Sequence, residues 1–319
     1  MSDLAEPVPG VAPARVRHPA TGYLLYLVAA CLFALNGTIS KSILLSGIDP
    51  ARLSQLRVTL AFLILLVVVA ITRPSALRVR RKEIPVLLAF GILGIAMTQY
   101  LYFVAINLLP VGIALLIEFT APIMVALWFR FGMHQAVNRK VWAGLALALT
   151  GLALVGQVWK GFTLDGLGVI AAFGAAAALA LYYLLGDRQV RQPEPRDPVS
   201  LTMWGFGAAA LFWAIAQPWW SFPWTALTGD GYPLGADGAA VPIWMLCSYM
   251  VILGTVVPFW LVVVSLQHIN ASQASVIGMT EPLLASLIAW VALGEVLTPV
   301  QIVGAVVVLA GVLLAERSR

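Results

Sequence analysis

Two glutamates stand inside apolar stretches that are long enough to cross a bilayer. Glu118 lies within 112–131, and Glu281 lies near the middle of 272–291. A carboxylate at that depth costs about 2.5–3.5 kcal/mol on insertion scales, so it should face protein or water and not lipid. Such an acid can bind an amine or a proton in a transport pathway. It can also serve structure, by bonding to a neighbouring helix, and the sequence leaves both interpretations open.

The two stretches are copies of one pattern. At a separation of 160 residues, Thr120 corresponds to Thr280, and Pro122 corresponds to Pro282. The same register, without a gap, pairs three further glycines: Gly94 with Gly254, Gly144 with Gly304, and Gly151 with Gly311. Such a run of matches indicates an internal repeat. Each proline removes one helical hydrogen bond, which predicts a kink that is either a hinge for alternating access or static.

The composition is that of a polytopic membrane protein. Hydrophobic residues make up 61% of the chain and charged residues only 10%, against about 25% charged in soluble proteins. A membrane helix needs about 20 apolar residues, and such runs follow one another almost continuously. The runs do not alternate between apolar and polar residues, which excludes a transmembrane β-barrel. The predicted fold is therefore an all-α membrane protein.

Ten membrane-spanning helices are predicted from these runs. Their ranges are 22–42, 52–72, 84–106, 110–131, 138–158, 166–186, 199–219, 241–266, 271–293 and 297–315. With the N-terminus in the cytoplasm, fifteen of the 19 Lys and Arg residues fall on the cytoplasmic side and four on the other. This asymmetry predicts that both termini are cytoplasmic. The basic residues lie in short loops, so they indicate orientation and no nucleic-acid partner.

The helices group into two repeats of five. Residues 1–20 are predicted to form a disordered cytoplasmic tail without the apolar core of a signal peptide. The first repeat spans 21–158 and the second spans 159–319. Because five is odd, the second copy enters the membrane from the opposite side. Inverted repeats of this kind build secondary transporters, whose substrate site lies near the midplane where the repeats meet.

Polar and aromatic residues that correspond through the repeat are candidates for this site. At an offset of 146 residues, which aligns 22–42 with 168–188, Asn36 pairs with Tyr182, and at the offset of 160 residues Tyr100 pairs with Trp260. The predicted substrate-binding residues are Asn36, Tyr100, Glu118, Tyr182, Trp260 and Glu281, and the predicted hinges are Pro122 and Pro282. The alternative for the aromatic members is helix packing. Lys41 and Arg57 either extend to the headgroups or provide a charge partner for Glu118.

Other chemistry finds little basis in the sequence. Two cysteines and three scattered histidines give no metal-ligand spacing and no catalytic pair, so no cofactor, metal or enzymatic activity is predicted. The glycines of the fifth and tenth helices recur at a spacing of seven residues, which lets backbones approach closely. They predict helix packing or a dimer contact, and both a monomer and a homodimer stay open.

Residues 272–314 resemble the second copy of the EamA-type domain of the drug/metabolite transporter superfamily. The residues that carry the resemblance are Glu281, Pro282, Gly294, Glu295, Gly304 and Gly311. The first copy departs from the pattern, because 133–135 has no acidic residue to match Glu295. The resemblance spans about 22–315 and implies ten helices, cytoplasmic termini and export of small metabolites. Within the family the chain is most similar to bacterial amino acid exporters, in particular the aromatic amino acid exporter.

The leading hypothesis is a carrier in the bacterial inner membrane that exports small metabolites by alternating access. Amino acids, including aromatic ones, are the expected substrates, and membrane lipid is the other expected partner. Nucleosides and cations are alternative substrates, and a membrane-embedded lipid enzyme or a channel is an alternative class. The three histidines, at 18, 134 and 268, are too scattered for such an enzyme.

The charge distribution makes the topology testable. Alkaline phosphatase fused after Arg319 should be inactive, because a cytoplasmic C-terminus keeps the reporter out of the periplasm where it matures. A fusion in the predicted outer loop 220–240 is the matched control and should be active. Strong activity of the C-terminal fusion would contradict the ten-helix inverted repeat.

Overall fold

The computed structural model describes residues 18–160, 165–233, 238–293 and 298–317. Its helices are α1 Pro19–Leu45, α2 Pro50–Thr72, α3 Arg81–Leu108, α4 Val111–Gly132, α5 Arg139–Val155, α6 Gly166–Val190, α7 Pro198–Ala216, α8 Ile243–Ser265, α9 (Ala271–Gly278 and Glu281–Leu293) and α10 Pro299–Glu316. A short antiparallel pair, β1 Asp230–Gly231 and β2 Val241–Pro242, lies between α7 and α8. The predicted all-α membrane fold is confirmed.

Every predicted span coincides with helical structure. Within the described ranges, seven helices are long and apolar enough to cross a membrane: α1, α2, α3, α4, α6, α7 and α8. The ten crossings and the cytoplasmic termini stay predictions. Of the predicted tail, 1–17 lies outside the described residues, and α1 begins at Pro19 because proline suits the first helical turn.

Polar caps fix where several helices begin. The Asp49 carboxylate accepts a hydrogen bond from the backbone nitrogen of Ala51 at the start of α2 (2.8 Å). The Asn138 side chain does the same at α5, as do Asp165 at α6 and Asp197 at α7. These oxygens satisfy amide groups that the first helical turn leaves free. The caps let helices follow one another through short loops.

The sequence repeat reappears as a break in two helices. The first half of α4 ends at Glu118 and the first half of α9 ends at Gly278. At each break a threonine hydroxyl, of Thr120 or Thr280, donates to a carbonyl three residues earlier at 2.7 Å. Pro122 and Pro282 follow at the second residue of the next half. They begin half-helices, where proline is tolerated, and the predicted kink is an interruption of the helix.

A second repeated feature is a π-helical segment, at Phe90–Ala96 in α3 and at Ile252–Val256 in α8. Gly94 in the first packs on the backbone of Tyr182, where an added Cβ would lie 3.1 Å from that residue's Cα. Gly254 in the second packs on Asn36, with an added Cβ only 2.2 Å from its Oδ1. Asn36 and Tyr182 correspond through the repeat, so both contacts join the same pair of repeat positions, one through the backbone and the other through a side chain.

Helix packing joins the halves throughout. The main contacts pair α5 with α10, α2 with α7, α1 with α8 and α3 with α6. Gly144 lies against Gly311, and Gly151 lies against Gly304, with added Cβ atoms 2.7 Å from the facing carbonyl oxygens. These glycines therefore serve packing within one chain, and the predicted alternative that they form a dimer contact is wrong.

The α5–α10 contact allows a matched stability test. Gly151→Ala should destabilise the purified protein, because the new Cβ would lie 2.6 Å from the Val308 backbone nitrogen. Overpacking of this kind costs about 1–3 kcal/mol, so the melting temperature in detergent should fall. Gly112→Ala is the control, since its Cβ meets nothing within 4 Å and alanine favours a helix. Equal melting temperatures for the two variants would contradict this close packing.

Candidate functional site

A cavity of about 80 Å³ lies between the halves of the chain, bordered by α1, α2, α3, α4, α6, α8 and α9. Its lining combines apolar side chains with a set of polar and charged ones. The polar and charged members are Tyr26, Asn36, Arg57, Thr98, Gln99, Tyr102, Glu118, Tyr183 and Glu281. Four of the helices come from the first repeat and three from the second.

Arg57 is the positive charge of the cavity, and it is buried on α2. Its Nε donates to Thr255 Oγ1 at 2.5 Å, and its Nη2 donates to the Gly254 carbonyl at 2.7 Å. That carbonyl lacks the usual helical donor four residues later, because Pro258 has no N–H. The guanidinium also lies over Phe103, 5.3 Å from the ring centroid, in a cation–π contact.

These contacts position Arg57 and leave it able to bind something else. Among the described residues, its Nη1 has no hydrogen-bond partner. An arginine at this depth is costly unless it is held by protein or used. The free side of a guanidinium is suited to bind a carboxylate.

Glu118 and Glu281 supply two carboxylates to the same cavity. Glu118 is buried at the end of the first half of α4, and Glu281 is partly buried at the start of the second half of α9. Neither lies within 4 Å of a lysine or arginine nitrogen in the described ranges. The cavity thus holds two acids and one base that are not closed into ion pairs.

Two amides complete the polar lining. Asn36 is 4% exposed and Gln99 is 3% exposed. In the part of the chain that the structure describes, Asn36 Oδ1 and both polar atoms of the Gln99 amide have no hydrogen-bond partner. An unsatisfied buried polar group costs about 1–3 kcal/mol. These amides are therefore suited to a bound water or ligand.

Three of the six predicted site residues line the cavity: Asn36, Glu118 and Glu281. The aromatic three lie elsewhere. Tyr100 packs edge-on against Trp213 at 5.1 Å, and Trp260 is 37% exposed on the outer surface. Tyr182 is held between helices, where its hydroxyl donates to the Phe259 carbonyl at 3.3 Å.

In each case the neighbouring residue lines the cavity instead: Gln99 beside Tyr100, Tyr183 beside Tyr182, and Phe259 beside Trp260. One residue along a helix turns the side chain by about 100°. The Tyr183 and Tyr26 hydroxyls hydrogen-bond to each other across α6 and α1. The repeat thus pointed to helices that border the cavity, and the three aromatic side chains lie on other sides of these helices.

The remaining predicted residues take other positions. The Lys41 ammonium bonds the carbonyls of Ile106 and Asn107 at the end of α3, and it does not line the cavity. Arg57 lies in the same cavity as Glu118, although the two side chains are not in direct contact. This position agrees with the interpretation of Arg57 as a charge partner for Glu118. Gly294 and Glu295 lie outside the described residues.

The model of the EamA-like transporter family matches residues 20–157 and 166–316. Threonine/homoserine exporter RhtA of Escherichia coli K12 is 29% identical over 285 residues, covering 88% of this chain and 85% of its own. The uncharacterized transporter YdfC of Bacillus subtilis is 25% identical over 268 residues, covering 84% and 82%. A crystal structure shares the fold, with a TM-score of 0.71 at 18% identity over 93% of this chain and 98% of that one.

The fold and the charged cavity between two repeats define a multi-pass helical transporter of the inner membrane. The chain belongs to the EamA-like transporter family, whose model matches it almost throughout. The family resemblance predicted from Glu281, Pro282 and the glycines is therefore confirmed. The expected preference for aromatic amino acids finds no support in these relatives.

Glu281 offers a direct test of the site. Glu281→Gln should reduce transport about tenfold or more at near-normal expression, since a hydrogen bond to a charged group contributes about 1.5–3 kcal/mol. Glu194→Gln, at an exposed ion pair with Arg80, is the control and should transport normally. Uptake assays and the yield of folded protein are measured together. A parallel loss of both would assign Glu281 a structural role.

Proposed function

We propose that this protein is a secondary transporter that exports small neutral amino acids by alternating access. The supporting observation is the set of charges in the central cavity. A free amino acid at neutral pH carries one carboxylate and one ammonium group. Arg57 offers a guanidinium to the first, and Glu118 and Glu281 offer carboxylates to the second. Charge-assisted bonds of this kind are about twice as strong as neutral ones.

The two buried amides of the cavity limit which substrate side chains it would bind. Asn36 and Gln99 bring unpaired donors and acceptors into the same cavity. A substrate hydroxyl would satisfy them, whereas an apolar side chain would leave them unpaired at a cost in affinity. Threonine and homoserine fit this chemistry, and RhtA, a relative at 29% identity, is named as an exporter of both. The expected preference for aromatic substrates came from the family resemblance, and the predicted aromatic site residues Tyr100 and Trp260 do not line the cavity.

In the proposed transport cycle, the two halves of the chain form the inverted pair that alternating access requires. Repeats at 21–158 and 159–319 would form an inverted pair with ten crossings and both termini in the cytoplasm. The breaks at Thr120 and Thr280 give α4 and α9 separate half-helices beside the cavity. Discontinuous helices of this kind flank midplane substrate sites in other transporters. Pro122 and Pro282, just after the breaks, are the proposed hinges.

A second candidate is an organic cation. The cavity has two carboxylates and one guanidinium, so with all three ionised its net charge favours a positive ligand. Arg57 separates the candidates, because a zwitterion needs a partner for its carboxylate and a cation does not.

The experiment uses the full chain in proteoliposomes, with exchange of labelled threonine as the readout. Unlabelled homoserine should compete well, and phenylalanine, uridine and tetraphenylphosphonium should compete poorly. Arg57→Gln should lower the apparent affinity for threonine about tenfold or more, because it removes a charged bond of about 1.5–3 kcal/mol. Binding of tetraphenylphosphonium should be unchanged or stronger in the same variant.

Arg57→Lys serves as the matched variant for folding and charge. It retains the positive charge but cannot bind a carboxylate with two parallel bonds, so it should transport at an intermediate rate. Melting temperatures of the three proteins show whether the fold is retained. Competition by the cation alone, unaffected by either substitution, would reject the amino acid and favour the second candidate.

A further inference from the structure

A second, larger opening lies away from the central cavity, between the C-terminal ends of α4 and α6. We call it the α4–α6 groove, and its volume is about 720 Å³. Its walls are mainly apolar and include Phe129, Leu181, Leu184 and Leu185. Trp128 and Leu181 are exposed beside it. The groove therefore opens sideways, on the surface that these helices present to the bilayer.

Arginines gather at one end of the groove. Arg188 and Arg191 both line it and both are exposed. Asp187, on the same rim, accepts a hydrogen bond from Arg191 Nε at 2.7 Å. In the described ranges, Arg188 forms no ion pair, and the two terminal nitrogens of Arg191 form none. Two arginines against one aspartate leave the rim with a net positive charge.

The apolar leucines and the charged rim follow one another along α6. From Leu181 to Arg188 the chain rises about 10 Å, at 1.5 Å per residue. The order is apolar side chains toward the membrane interior and guanidinium groups at the predicted cytoplasmic surface. Anionic lipids have the same order of acyl chain and negative headgroup, and basic pockets between membrane helices on the cytoplasmic side bind such headgroups.

We propose that the α4–α6 groove binds one anionic phospholipid. Its phosphate lies between Arg188 and Arg191, and an acyl chain runs along Leu181, Leu184 and Leu185. The amino acid substrate is a poor occupant, because a zwitterion would gain little from these apolar walls. A lipid supplies both an apolar chain and a negative charge. The proposal is independent of the proposed substrate.

Native mass spectrometry of the purified full chain tests the proposal. The two probes are dioleoylphosphatidylglycerol and dioleoylphosphatidylethanolamine, which share acyl chains and differ in headgroup charge. The first should be retained as a single bound lipid in clear preference to the second. Each arginine near a membrane surface is expected to contribute about fivefold to the binding constant. Arg188→Gln combined with Arg191→Gln should therefore weaken phosphatidylglycerol binding about 25-fold if the two effects add.

Two further variants distinguish the contribution of the headgroup charge to lipid binding from that of the apolar groove. Arg139→Gln combined with Lys140→Gln removes the same charge at the start of α5, outside the groove, and should leave binding unchanged. Leu181→Trp fills the groove without altering charge and should weaken binding. Melting temperatures in lipid-free detergent confirm that each variant is folded.

Three results would overturn the proposal. The first is equal retention of the two lipids. The second is equal weakening by the groove pair and the α5 pair, which would indicate general attraction to basic residues. The third is a dimer without bound lipid that Leu181→Trp abolishes, which would assign the groove to a second copy of the chain.

Discussion

Charge inside the membrane is the constraint on which the rest of the structure depends. Burying an arginine or a carboxylate at this depth is unfavourable unless protein surrounds and bonds it. Arg57 meets the requirement through Thr255, the Gly254 carbonyl and the face of Phe103. These partners position the guanidinium without neutralising it. Because Glu118 and Glu281 form no ion pair with it, the proposed ligand would bind all three groups without first breaking one.

The repeated architecture brings polar backbone to the same level as these charges. Irregular backbone at membrane depth is tolerated where protein buries it or where it borders a cavity. The breaks in α4 and α9 border the cavity, and the π-helical segment of α8 supplies the Gly254 carbonyl and the Thr255 hydroxyl that bind Arg57. Away from the cavity, α5 and α10 are regular and pack through glycines. The irregular backbone that contacts the cavity or Arg57 thus lies where the two halves meet, whereas a further π-helical segment, Trp128–Gly132, ends α4 away from the cavity.

The sequence predicted more of the backbone than of the side chains. Glycines and prolines report backbone geometry directly, so their pairing through the repeat located the helix breaks and the glycines through which α5 and α10 pack. Both glutamates line the cavity, as expected from the exclusion of a carboxylate from lipid. Lipid does not exclude aromatics, so Tyr100, Tyr182 and Trp260 carried no information about which side of a helix faces inward. The role of Arg57 could not be decided from the sequence for a similar reason, since a long basic side chain can reach the headgroups from several positions.

The central claim is that one cavity binds both the carboxylate and the ammonium group of an amino acid. Analogues of threonine that lack one of these groups test the claim most directly. Threonine methyl ester lacks the carboxylate, and N-acetylthreonine lacks the ammonium. A ligand that binds only the folded protein raises the free energy of unfolding by RT ln(1 + [L]/Kd), and the melting temperature rises with it. The account predicts that threonine stabilises the full chain and that neither analogue does so at the same concentration. Stabilisation by the methyl ester equal to that by threonine would contradict it, since the cavity would then recognise only a cation.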